Sequence, residues 1–313
     1  MPETTVRKEE SQLLSLAQLW LLCRRAVEGW FDDRASSMGA AIAYYTMFSI
    51  APLLLIAISV AGLVFGREAA SGEVLEQLRG LIGEAGAVAI QGMLQSTAHP
   101  AKSLTATVVG SVLLFIGATS VFAELQSALD RIWRVPVSDK TGGLAGLWAL
   151  LQSRLLSFGM ILGIGFLLMT SLVLSAAIAA FGAWAGPRLA DWEVLATTLN
   201  FAVSYLLVAV MFALIYKTMP RRRIAWRDVW IGALVTALLF NIGKQLIGLY
   251  IGKSGVTSAF GAAGSLAVLL LWVYYSAQIF LLGAEFTWAY AHSFGSCKDL
   301  PDEENDKAPS PIP

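Results

Sequence analysis

Apolar residues run along the chain in long uncharged stretches, and most charged side chains gather between them. A helix that crosses the hydrocarbon of a bilayer needs about 20 predominantly apolar residues. Six stretches reach that length, at about 36–65, 103–123, 155–187, 194–216, 229–251 and 264–284. The third is long enough to tilt, and the fifth is broken in charge only by Lys244. The pattern predicts an all-α, polytopic membrane bundle of six transmembrane helices over 36–290, flanked by an N-terminal segment 1–35 and a tail 291–313.

The polar segments carry weaker patterns of their own. In 1–35, Glu9, Glu10, Glu28, Asp32 and Asp33 are mixed into a Leu-rich stretch with no cleavage-site pattern, so the segment is not read as a secretory signal. Leu13, Leu16, Trp20 and Val27 share one helical face. That predicts an amphipathic helix, either lying on the inner membrane surface or packed against the ends of the bundle. In the outer loop 67–102, Val74, Leu78, Leu81 and Ala85 recur at helical spacing, and a second apolar patch from Val88 to Leu94 follows Gly86. The expectation there is two short amphipathic helices over the outer end of the bundle. The tail is acidic and proline-rich, which predicts disorder.

Composition agrees with a membrane chain. Of 313 residues, 57% are hydrophobic and only 14% charged, where a soluble domain is about a quarter charged. This excludes a disordered protein and argues against a nucleic-acid-binding domain or an ordinary cytosolic enzyme. The net charge is zero, so no global field draws the chain to nucleic acid. The basic residues are unevenly placed: of 22, sixteen fall on the side of the termini, among them Arg24, Arg25, Arg131, Arg134, Arg154 and Arg221–Arg223, and five fall opposite. By the positive-inside rule both termini are cytoplasmic. Cys23 and Cys297 sit in no ligand spacing, so neither a disulfide framework nor a metal site is expected.

Asp33–Arg34 and the run AAIAYYTMFSIAPLLL from Ala40 to Leu55 resemble the YihY/BrkB family of bacterial membrane proteins. So do LDRIWRVP from Leu129 to Pro136, RDVWIGALVTALLF from Arg227 to Phe240, and GAAGSLAVLLLWVYYSAQIFLLGAEFT from Gly261 to Thr287. The resemblance covers nearly everything between Phe31 and Tyr290. It implies a multi-pass protein of the bacterial inner membrane with six helices, associated by name with serum resistance and virulence. The family was once labelled a ribonuclease, and the residues do not fit that label. A metal-dependent nuclease needs clustered His and Asp ligands, whereas His99 and His292 are the two histidines and fall on opposite sides of the predicted membrane. The chain is therefore expected not to be an enzyme, to need no cofactor and to bind no nucleic acid.

Polar groups inside spans are costly unless buried, paired or snorkelling, which makes them the candidates for function. Asn241, Lys244 and Gln245 share a face of the fifth span. Lys244 lies roughly 24 Å from the inner end of that span, as either a snorkelling anchor or a cation lining a cavity. On the sixth span Tyr274 or Tyr275, Gln278, Leu282 and Glu285 form a stripe. Together with Tyr44 and Tyr45 of the first span, Asn241, Lys244, Gln245 and Gln278 make up a candidate substrate pathway, and Pro52 a candidate kink. Glu124 and Glu285 lie at similar depth near the inner interface, with Arg34, Arg131 and Arg154 as possible partners. This is either a ring of ion pairs holding helix ends or a gate at the cytoplasmic mouth. Two function classes follow. One is a transporter that moves an anionic lipid or small anionic solute, with membrane lipids as its partners; the other is a structural or interaction protein of the envelope. The sequence leaves the oligomeric state open.

Overall fold

The computed structural model describes residues 16–98, 120–136, 192–254 and 263–298. The expected third span and Arg154 lie outside these residues, as do His99 and most of the second span. Among the described residues the chain is helical with no strand. The helices are α1 (Leu16–Asp32), α2 (Ala35–Phe65), α3 (Arg67–Ala98), α4 (120–132), α5 (Trp192–Thr218), α6 (Trp226–Ser254) and α7 (Gly264–Ser293). Three of them are long and apolar enough to cross a membrane, over Thr197–Thr218, Trp226–Ile251 and Leu266–Ser293. They coincide with the expected fourth, fifth and sixth spans. α2 matches the expected first span, is free of charge throughout and is helical through position 52.

The centre of the fold is the antiparallel crossing of α6 and α7. Gly232 lies against Thr287, and Gly283 lies against Thr236 and Tyr216. Each threonine is fully buried and satisfies its hydroxyl inside its own helix: Thr236 Oγ1 donates to the Gly232 carbonyl and Thr287 Oγ1 to the Gly283 carbonyl, both at 2.7 Å. This back-bonding lets a polar side chain sit at a dry interface. The opposing glycine lets the backbones close, as small residues do between membrane helices. Tyr216 fastens α5 to the pair, donating to the Phe280 carbonyl at 2.7 Å and lying 3.1 Å from Thr236 Oγ1. Phe280 and Phe212 pack on its ring with centroids 5.2 and 6.3 Å away, and Phe240 packs on Phe212 at 5.7 Å.

α4 and the α5–α6 loop lock together at one end. Asp130 accepts from the Arg221 backbone at 2.8 Å and pairs with its guanidinium at 3.5 Å. Arg222 donates to the Trp133 carbonyl, and Gln126 to that of Met219. Burial pushes the Asp130 carboxyl above its ordinary range, while the Arg221 contacts pull it back. Part of the loop's basic cluster thus ties the fold, besides biasing charge.

Two expectations are corrected. The segment expected to form an outer loop is one continuous helix, α3, joined to α2 through Gly66 alone and packed along α2 and α7. Gly66 carries a φ of 87° with open space where a Cβ would lie, so conformation rather than room selects glycine. Gly86 does not break the helix, because an internal glycine costs only about 1 kcal/mol and Ala70, Ile90 and Leu94 are buried in a cluster shared with Ala43, Ile58, Leu269 and Val273. The folded unit also extends beyond 290, to Lys298. Buried Asp228 accepts from Ser296 N at 2.9 Å and Ser296 Oγ at 2.6 Å, which fixes the turn after α7 and buries Cys297.

α1 packs on α7 through Leu22 and Ala26, which meet Phe286, Ala289 and Tyr290. Trp20 and Val27 of the predicted apolar face, with Phe31, are left exposed. The helix therefore packs on the bundle while presenting a second apolar strip outward.

Gly232→Ala is expected to lower thermal stability in detergent by roughly 1–3 kcal/mol, the cost of overpacking. Gly248→Ala, with nothing near its Cβ position, should gain up to about 1 kcal/mol from helix propensity. Unfolding midpoints of the two variants against wild type check both signs.

Candidate functional site: a polar seam on α7

α7 carries its polar stripe into the contact with α1, α2 and the 133–136 turn. Gln278 sits against Gly39 of α2, and Glu285 against Gly29 of α1, where a Cβ would lie 2.6 Å from Glu285 Oε2. Both glycines are required by close approach. Seven residues separate Gln278 from Glu285, which is about 10 Å along the axis.

Glu285 is 1% exposed and Asp33 7%. Asp33 follows Gly29 by one helical turn, its N–H bonded to the Gly29 carbonyl at 2.9 Å, which sets its carboxyl beside that of Glu285, with Arg134 and Asp32 close enough to act on Glu285 by charge. Arg131 Nε lies 3.8 Å from Asp33 Oδ1, half in solvent. The Arg134 guanidinium covers the Trp288 ring at 5.2 Å, and His292 stacks on the same indole at 4.4 Å while its Nδ1 meets the Trp288 carbonyl at 2.9 Å.

The backbone at this site is strained in two places. Arg34, between α1 and α2, has φ 54°, and Arg134, after α4, has φ 50°. Arg134 occupies the left-handed position of a Schellman turn, with Val135 N bonded to the Asp130 carbonyl at 2.8 Å and Arg134 N to that of Arg131 at 3.0 Å. Glycine usually fills this position, and an L-residue there costs roughly 1–2 kcal/mol. The long side chain that closes over Trp288 is what the turn gains in exchange.

The buried polar atoms without a hydrogen-bond partner among the described residues all belong to this seam or its rim. They are Asp33 Oδ2, Trp133 Nε1, Arg134 Nε, both amide atoms of Gln278, Glu285 Oε1 and Trp288 Nε1. Buried polar groups are nearly always satisfied, and leaving one unmade costs about 1–3 kcal/mol. Concentrated on one seam, they form a place built to meet polar matter.

Of the sequence candidates, Glu285 and Arg131 are brought together here, through Asp33. Arg34 is exposed beside them, and Glu124 is half-buried on α4. The other candidates are spread out. Asn241 donates to the Ala237 carbonyl of its own helix at 2.9 Å. Lys244 is half-buried and Gln245 exposed; neighbouring Gly243 faces Tyr275 and Ile279, whereas Gln278 faces α2. Tyr44 and Tyr45 are exposed, and Tyr44 forms edge-to-face contacts with Tyr45 and with Phe48. Sequence reasoning missed Asp33 and Arg134 as site residues. Their signal lay in the Asp33–Arg34 step and in RIWRVP, where an arginine stands at a helix end that lacks glycine.

Long apolar helices with a buried polar seam between them, in a chain that is helical and without strands among its described residues, define a helical membrane protein. The family model described as virulence factor BrkB matches residues 26–308, and the chain belongs to that family, as its motifs imply. It is 30% identical to a UPF0761 membrane protein of Pseudomonas paraeruginosa over 80% of this chain and 58% of that protein. It is 26% identical to one of Acinetobacter baylyi, over 82% and 59%, and 29% identical to one of Alcanivorax borkumensis, over 82% and 57%. The chain spans less than two thirds of the length of these curated relatives. No solved structure matches it.

Gly29→Ala should destabilise the protein by roughly 1–3 kcal/mol, although helix propensity alone favours alanine by about 1 kcal/mol. In a Glu285→Ala background the same change should cost little. The coupling from a double-mutant cycle on thermal unfolding is the measurement.

Proposed function

We propose that the chain is a multi-pass protein of the bacterial inner membrane, both termini cytoplasmic, that translocates an anionic lipid or small anionic solute without enzymatic chemistry. The observation that carries this reading is the concentration of unpartnered buried polar atoms between α7 and the α1–α2 junction. A protein that only holds its helices together gains nothing from such atoms, each of which weakens the bundle. A protein that passes polar matter needs them, since groups of this kind inside membranes mark paths. The anionic class rests on Arg131 and Arg134 at one end of the seam and on the half-buried Lys244 of α6. The excess of basic residues on the side of the termini supports the orientation.

Lipid exchange between leaflets, read with fluorescent phosphatidylglycerol in proteoliposomes, tests it. Wild type should exceed protein-free vesicles. Gln278→Leu should slow exchange about tenfold, equivalent to ~1.4 kcal/mol on the barrier. Lys244→Ala should slow phosphatidylglycerol more than phosphatidylcholine. A wild-type rate equal to protein-free vesicles, for this lipid and for small anions, would favour the interaction protein of the envelope instead.

A further inference from the structure

We infer that Asp33 and Glu285 share one proton, so that the end of the seam is a proton-binding site. The argument begins with what carboxyl groups can do. Ionised, each only accepts hydrogen bonds, and two buried carboxylates in contact repel. One proton between them turns the repulsion into a hydrogen bond. Both residues are more than nine-tenths buried, and each keeps one oxygen with no partner among the described residues, Asp33 Oδ2 and Glu285 Oε1.

Among the described residues, the surrounding charges do not remove the need for a proton. From the 120–136 segment, Arg131 reaches Asp33 only at 3.8 Å and is half in solvent. Arg134, the cation that acts on Glu285, is turned over the Trp288 ring. Glu285 forms no ion pair among the described residues. Asp32 of α1 adds a further negative charge, and Arg34, beside Asp33, is exposed. On α7 His292 is held by the Trp288 carbonyl, and on α6 Asp228 is held by Ser296. The orphaned Nε of Arg134 and Nε1 of Trp288 are donors, and with the free carboxyl oxygens they suit water as the medium that brings the proton. Loss of the proton would push Glu285 from Asp33 and strain the contact of Gly29 with α7, so the site ties proton binding to the packing of the α1–α2 junction. This deepens the translocation reading by naming a proton as the ion that acts on the seam.

Infrared spectroscopy of the full chain in detergent is the test. A carbonyl band of a protonated carboxyl group, sensitive to exchange into heavy water, should persist in neutral buffer in the wild type. It should be lost in Glu285→Gln, shift in frequency in Asp33→Asn, where the buried Glu285 carboxyl keeps its proton but changes its hydrogen-bond partner, and remain unchanged in Asp32→Asn. A wild-type spectrum without the band at neutral pH overturns the inference, and so does a band unchanged in both pair variants. The wild-type result does not depend on the variants folding. A protein with the band but no lipid exchange keeps the proton site and loses translocation; exchange without the band does the reverse.

Discussion

Two threonines that each lie on a glycine of the opposite helix set the α6–α7 crossing, and the rest of the described structure is arranged around it. Gly232 and Thr236 on α6 face Thr287 and Gly283 on α7 in antiparallel register. The pairing fixes distance, rotation and register together, because a slip by one residue would bring a side chain onto the opposing backbone. Tyr216 recruits α5 through the same point by bonding the Phe280 carbonyl. At the end where α6 starts and α7 finishes, Asp228 then holds the turn after α7.

With one face of α7 committed to α6, the stripe from Gln278 to Glu285 is turned toward α1 and α2. There the helices approach closely as well, but the glycines sit against polar groups. Gly39 meets an amide and Gly29 a carboxyl. Threonine at the first interface answers its own polarity by bonding back to its helix. Gln278 and Glu285 keep polar atoms that the described residues do not satisfy. The contrast separates a structural interface from a functional one within a single helix. It also explains why two arginines hold left-handed backbone at the ends that border the seam, where strain is retained for the side chain it positions.

Much of this was legible in the sequence. α2 and α5–α7 stand out because uncharged runs of the right length are bounded by charged residues such as Arg34, Lys217 and Asp228, and the Gln278–Glu285 stripe follows from helical spacing. The continuity of α3 was hidden, since Gly86 looks like punctuation until α2 and α7 are there to pack against. The ordered turn at 294–298 depends on Asp228, 68 residues before Ser296. Asp33 reads as a surface acid at a helix end, and only the fold turns it inward against Glu285. Arg134 could not be read as a left-handed position, because the glycine that marks such turns is absent.

The central claim is that polar matter enters the seam at Gln278, and thiol accessibility in native membranes tests it most directly. In full-length protein carrying Cys23→Ser, with buried Cys297 as background, a charged water-soluble thiol reagent is applied to Gln278→Cys and, for comparison, to Leu281→Cys, a fully buried position on the same helix. The account predicts that Gln278→Cys is modified and Leu281→Cys is not. Equal inertness of the two would show a dry, closed interface and contradict it.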